Sequence, residues 1–151
     1  MAGHVAESTM TRPDWDSYFL AIAQVVSTRA DCTRRQVGCV IVKDRRIVST
    51  GYNGAPSGEP GCATAGACPR GKYSHAEVPA DTNYNTVRCI AVHAEANALT
   101  FAREWLTGAT AYVTDTPCPQ CAAQLRGAGI TRVVTPHEKN PTNPGRDGGD
   151  Q

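Results

Sequence analysis

Two short clusters constrain this chain more than anything else in it: His93-Ala94-Glu95, and further on Pro117-Cys118-Pro119-Gln120-Cys121. The second opens a helix. Thr116 precedes a proline and is biased toward extended backbone, while Pro119 suits a first helical turn. Cys118 and Cys121 then lie three apart on one helical face, where two sulfurs reach a single ion. The positive end of the helix dipole favours the thiolate forms that bind metal. His93 likewise begins an alanine-rich helical stretch. A fold that brings both helix starts together assembles one imidazole and two thiolates.

Taken alone, Cys-x-x-Cys fits a redox pair or half of a structural zinc site, and His-x-Glu fits surface polarity. Taken together, in this order and both at helix starts, they form a three-ligand zinc set, His93, Cys118 and Cys121. Three protein ligands leave the fourth tetrahedral position open, the arrangement of a catalytic zinc. Water there has its pKa lowered to about 7. Glu95, two positions from the histidine, is placed to carry protons between that water and a substrate.

Around these clusters, Trp15, Phe19, Ile22 and Val26 recur at helical spacing and predict a helix to about Ala30. Val37 to Val42 and Arg46 to Tyr52 are apolar runs about a polar Lys43-Asp44-Arg45 turn, a β-hairpin. His93 to Trp105 reads as a helix ended near Gly108, Ala109 to Thr114 as a strand, Cys118 to Arg126 as a helix closed by Gly127, and Ile130 to Thr135 as a last strand. This order predicts a layered α/β domain whose final strands, alternating with helices, are parallel.

The 151 residues suit one domain. We expect a flexible tail over 1–12, one folded domain carrying the zinc set over 13–137 and a disordered Pro/Gly-rich tail over 138–151. Fifteen basic and 14 acidic residues leave a formal charge of +1, which favours a small substrate over nucleic acid. No apolar run approaches the roughly 20 residues of a membrane span, and Met1 to Pro13 lacks a secretory pattern, so a cytoplasmic protein is expected. Seven cysteines cannot all pair internally.

His-x-Glu followed by Pro-Cys-x-x-Cys is the signature of zinc nucleobase deaminases. From Trp15 to Val134 the chain resembles the cytidine/deoxycytidylate deaminase superfamily, and Gly51-Tyr52-Asn53-Gly54-Ala55-Pro56 and His93-Ala94-Glu95-Ala96-Asn97-Ala98 place it closest to the dCMP deaminase family. The resemblance implies a three-layer αβα sandwich with a mixed central sheet of four to five strands. It also implies His93, Cys118 and Cys121 as zinc ligands, Glu95 as catalyst, and conversion of dCMP to dUMP with release of ammonia. A free base or nucleoside (cytosine, cytidine, guanine) is the alternative substrate, and a nucleic acid a more distant one.

In that family the Gly-Tyr-Asn-Gly loop lies near the nucleotide. Asn53 both donates and accepts hydrogen bonds, as a sugar hydroxyl requires, although Asn-Gly is also a common turn pair. Arg29, Arg34 and Arg35 offer forks that match a phosphate or serve as solvated charge. Two departures stand out: Cys39 replaces a small residue in the first strand, and Thr135-Pro136-His137 stands where relatives carry aromatic residues. The long segment Glu59 to Thr86 exceeds ordinary loops. Some phage and bacterial relatives carry a structural zinc at positions like Cys32, Cys62, a loop histidine (here His75) and a residue before the catalytic motif (here Cys89). The resemblance therefore raises a second zinc, which would order the loop; the alternative is partly buried thiols. Homo-oligomerisation and control by deoxynucleoside triphosphates follow only from the resemblance.

Overall fold

The structure is a computed structural model that describes residues 11–65 and 89–137. Residues 1–10 of the tail expected over 1–12, the tail expected over 138–151, and His75 with most of the long segment around it lie outside the described residues.

Helix α1, Trp15–Ser27, starts where Asp14 caps it, its Oδ1 accepting from the Ser17 N–H at 2.7 Å. Its buried stripe is Phe19, Ala23 and Ser27. The helix stops three residues before the expected end. Ser27 Oγ and Thr28 Oγ1 donate to the Gln24 and Val25 carbonyls, both at 2.6 Å, and the following N–H groups of Thr28, Arg29 and Ala30 bond three residues back. The last turn is thus tightened and closed by its own hydroxyls.

Strands β1, Gly38–Lys43, and β2, Arg46–Tyr52, form the expected hairpin. Asp44 and Arg45 both take positive φ, 50° and 61°, the hand that a two-residue turn needs to match strand twist. Helix α2, Cys62–Ala65, is short; α3 spans Ala94–Phe101, β3 Thr110–Val113, α4 Pro119–Gly127 and β4 Arg132–Val134. The sheet order is β2-β1-β3-β4, with β1 antiparallel to both neighbours and β3 parallel to β4. The mixed sheet has four strands among the described residues, and its final pair is parallel as expected.

Side chains alternate across this sheet and define the layers. Val40, Val42, Tyr112 and Val134 pack with Phe19 and Ala23 of α1 on one face. Cys39, Ile41, Ala111, Val113 and Val133 pack with Ala94 and Ala98 of α3 and Leu125 of α4 on the other. The result is the three-layer αβα sandwich. Gly51 lets α3 lie against β2: a Cβ there would stand 2.3 Å from the Ala94 carbonyl oxygen and 2.4 Å from the Ala98 nitrogen.

Two helix ends differ from expectation. Helix α3 stops at Phe101 instead of reaching Trp105; Ala102 is extended (ψ 133°). The bend carries Leu106 into the core at 6% exposure and leaves Trp105 at 87%. Burial of one large apolar side chain outweighs the helical preference of the intervening residues. Helix α4 is closed not by Gly127 but by Gly129 (φ 96°). The Gly129 and Ile130 N–H groups bond to the Arg126 and Leu125 carbonyls at 2.9 and 3.1 Å, a Schellman motif in which Ile130 and Leu125 share the core.

Candidate metal centre and active site

The two clusters separated in sequence meet at the helix starts. His93 is the extended N-cap of α3, and Cys118 is the extended N-cap of α4, followed by Pro119. His93 Nδ1 lies 3.6 Å from Cys118 Sγ and 3.3 Å from Cys121 Sγ. The three ligand atoms all fall within 4.8 Å of one another, the only such group of three or more metal-binding side chains among the described residues. Bonds of about 2.0–2.3 Å to a tetrahedral ion put N and S ligands about 3.5 Å apart, so the spacing fits a zinc ion. Exposure falls across the trio: His93 is exposed, Cys118 half-buried, and Cys121 buried.

The donor chemistry also calls for a cation. Burial, then the charge of Glu95 and the neighbouring Cys118, push the Cys121 thiol up to about 12. A metal cation bound there would oppose that balance and deprotonate a coordinating thiol. With Zn²⁺, one imidazole and two thiolates neutralise the ion and leave the fourth position to a non-protein ligand. Glu95, in the first turn of α3 and 4% exposed, is the negative charge beside them. Cys39 lies beneath the site, where full burial, then Glu95 and Cys121, raise its thiol well above the ordinary value. It stays a neutral, apolar packing group, as the sequence suggested.

The loop after β2 holds α3 in place. Asn97 Nδ2 donates to the Tyr52 carbonyl at 2.8 Å, Ser49 Oγ donates to the Ala98 carbonyl at 2.6 Å, and Gly54 and Val92 exchange backbone bonds at 3.2 and 2.7 Å. The Gly51–Pro56 segment is thereby tied to the chain on both sides of His93. Asn53 is 7% exposed, and its amide is engaged with backbone: Oδ1 accepts from Val37 N–H at 2.8 Å and Nδ2 donates to the Arg35 carbonyl at 2.9 Å. One amide hydrogen and one lone pair remain of its capacity.

Some members of the site were not visible in the sequence. Asn97 follows His93 by one helical turn on the same face, which is the signal that locates it. Asp31 had no such signal. It accepts from the Gly61 and Thr64 N–H groups at 3.0 and 2.8 Å and from Thr64 Oγ1 at 2.6 Å, capping α2 across a gap in sequence. With Arg29, Tyr52, Pro56 and Glu59 it lines a cleft of about 500 Å³ that includes none of the trio. Arg35 forms an ion pair with Asp115. Burial would raise the Asp115 carboxyl, but the hydrogen bonds from Arg35 and the Thr116 N–H and the charges of Arg35 and His137 hold it below the usual range.

Of the second-zinc set, Cys62 is buried, Cys89 is exposed, and Cys32 is half-buried with its sulfur accepting from Arg34 N–H at 3.4 Å. These three do not converge into a three-donor group, and His75 lies outside the described residues. Among the described residues no helix is long and apolar enough to cross a membrane.

Known proteins give a consistent picture. The family profile of the cytidine and deoxycytidylate deaminase zinc-binding region matches residues 13–136. Deoxycytidylate deaminase of Mycobacterium phage D29 is 54% identical over 132 residues, 85% of this chain and 99% of that protein. The Saccharomyces cerevisiae deoxycytidylate deaminase is 39% identical over 127 residues, 83% of this chain, which spans only 38% of the yeast protein. The cyanophage S-TIM5 dCMP deaminase, solved in complex with dCMP and dUMP, superposes with a TM-score of 0.62 at 27% identity, covering 83% of this chain and 82% of that one.

Proposed function

The chain belongs to the cytidine and deoxycytidylate deaminase family, and from that premise we propose that it hydrolyses dCMP to dUMP and ammonia. The observation that carries this reading is the meeting of His93, Cys118 and Cys121 within 4.8 Å at two helix starts beside a buried carboxylate. The dCMP preference draws support from the phage D29 relative, matched over nearly its whole length, and from the S-TIM5 enzyme solved with dCMP and dUMP.

His93, Cys118 and Cys121 hold the zinc in this reading. Zinc bound there supplies Lewis-acid activation of water, lowering its pKa toward neutrality. Glu95 accepts one proton of the attacking water and passes it to N3 of the cytosine ring, then takes the remaining proton from the hydroxyl added at C4 and delivers it to the amino group that leaves. One C–O bond forms at C4, one C–N bond breaks, and ammonia departs. The low exposure of Glu95 and Cys121 keeps bulk water from competing for these protons. Asn97, Ser49 and the Gly54–Val92 bridge orient α3 so that His93 and Glu95 approach from one side and the cysteines from the other. Asn53 stiffens the loop that faces the sugar.

The balanced charge of +1 supports a small-molecule substrate without nucleic acid, and a cytoplasmic enzyme is the corresponding location. Self-association belongs to the same reading and rests on the family resemblance. A turnover panel of dCMP, CMP, deoxycytidine, cytosine, guanine and a cytosine-containing oligonucleotide tests the substrate. Highest kcat/KM on dCMP is expected. Equal or better turnover of a nucleoside, a free base or the oligonucleotide would overturn the assignment.

A further inference from the structure

The spacing of Cys118 and Cys121 that suits a metal also suits a redox pair. Cys118 is the extended N-cap of α4, and Cys121 is the third residue inside the helix. Helical geometry sets such positions about 5 Å apart at Cα, inside the roughly 4.4–6.8 Å that a disulfide spans. The two sulfurs are already close, within 4.8 Å of one another as of His93 Nδ1. The Cys121 N–H donates to Cys118 Sγ at 3.4 Å, which holds that sulfur over the first turn.

Access differs between the two. Cys121 is 3% exposed, whereas Cys118 is half-buried beside an exposed His93. A zinc held by four protein ligands shields its sulfurs, but three ligands leave one tetrahedral corner for a water-sized molecule. Hydrogen peroxide is scarcely larger than water and reaches the same corner beside Cys118. Cys39, the thiol beneath the site, is fully buried, and its main chain is held in β1 between β2 and β3. It is walled off from both solvent and oxidant.

We propose that Cys118 and Cys121 form a peroxide-sensitive switch: oxidation joins them as a disulfide, removes two of the three zinc ligands and stops turnover until a thiol reductant reverses it. The Cys118 thiolate attacks one peroxide oxygen; the O–O bond breaks, hydroxide leaves and Cys118 becomes a sulfenic acid. The Cys121 sulfur then attacks the Cys118 sulfur; the S–S bond forms, the S–O bond breaks and a second hydroxide leaves. Two electrons pass from the sulfurs to peroxide, and the two hydroxides balance the charge of the released Zn²⁺. His93 alone lacks the donor number of a zinc site. Reduction by a dithiol restores both thiolates, and zinc rebinds. This inference rests on the zinc-binding reading of the trio and not on the choice of substrate.

The test titrates the zinc-loaded protein with hydrogen peroxide beside a chromogenic zinc chelator. Mass spectrometry maps the cysteines before and after treatment with dithiothreitol and added zinc. Loss of bound zinc and of turnover is expected in step with a Cys118–Cys121 disulfide, and both return on reduction. Cys89→Ser, which removes an exposed thiol outside the trio, leaves the peroxide dependence of zinc release unchanged. Zinc retained at peroxide concentrations that already oxidise Cys89 overturns the proposal. So does release that needs Cys89, that comes with sulfinic or sulfonic acid at Cys118 and no disulfide, or that yields a disulfide to Cys39. A protein that carries no zinc before treatment would instead bring down the metal reading, and the starting zinc content tells the two failures apart.

Discussion

Asp16 ties three elements together: its Oδ1 accepts from Tyr112 Oη and Arg132 Nη1, each at 2.8 Å, and its Oδ2 pairs with Arg132 Nη2. The Arg132 hydrogen bond holds the Asp16 carboxyl below its ordinary 3.8, against the opposing effect of burial and with help from Tyr112. A carboxylate with a depressed folded-state pKa stabilises above its unfolded value, and that contribution is lost as pH falls through the folded one. Asp16→Asn is therefore expected to lower the unfolding free energy at neutral pH by no more than about 1 kcal/mol, the side chain being partly exposed. Its deficit against wild type should shrink below pH 3.8; urea titrations across the acid range read this, and a deficit that grows on acidification would contradict it. At this scale the sequence revealed what is local. The metal trio was legible because Cys118 and Cys121 share one helical turn and His93 and Glu95 share another. The Asp115 partner was not, since Arg35 lies 80 residues away and nothing in either neighbourhood marks the pair.

Elements were legible wherever pattern and turn chemistry agreed. The hairpin of β1 and β2 and the helix starts at His93 and Cys118 fall where they were expected. Helix ends were not, because each is decided by burial elsewhere: Leu106 draws the chain out of α3, and the Leu125–Ile130 contact moves the cap of α4 to Gly129. The close approach of α3 to β2 at Gly51 also depends on the whole layer. Gly51→Ala places a methyl against backbone atoms that cannot swing aside, so α3 must lift. Overpacking of this kind costs about 1–3 kcal/mol, and it displaces His93 and Glu95 with the helix. A lower urea midpoint together with reduced kcat is expected, whereas Thr50→Ala, at the exposed neighbouring position, leaves both near wild type. An unchanged midpoint and kcat in Gly51→Ala would show that the contact does not position the helix.

Among the described residues, the whole molecule is an arrangement for bringing two helix starts to one end of a four-stranded sheet. Its layered α/β class was readable from the order of helices and strands, which also predicted the parallel final pair, and its three layers from the family resemblance. The convergence of His93 with the cysteines needed the crossover from β3 through α4 to β4, which no local pattern encodes; the sequence supplied the ligand types and the fold their distances. The central claim is that this convergence binds zinc while Glu95 moves the protons. Zinc content and dCMP turnover measured together on Glu95→Gln separate the two duties. The account predicts wild-type zinc content with kcat lowered about 10²- to 10⁴-fold. A Glu95→Gln enzyme that keeps its zinc and deaminates dCMP at the wild-type rate would contradict it.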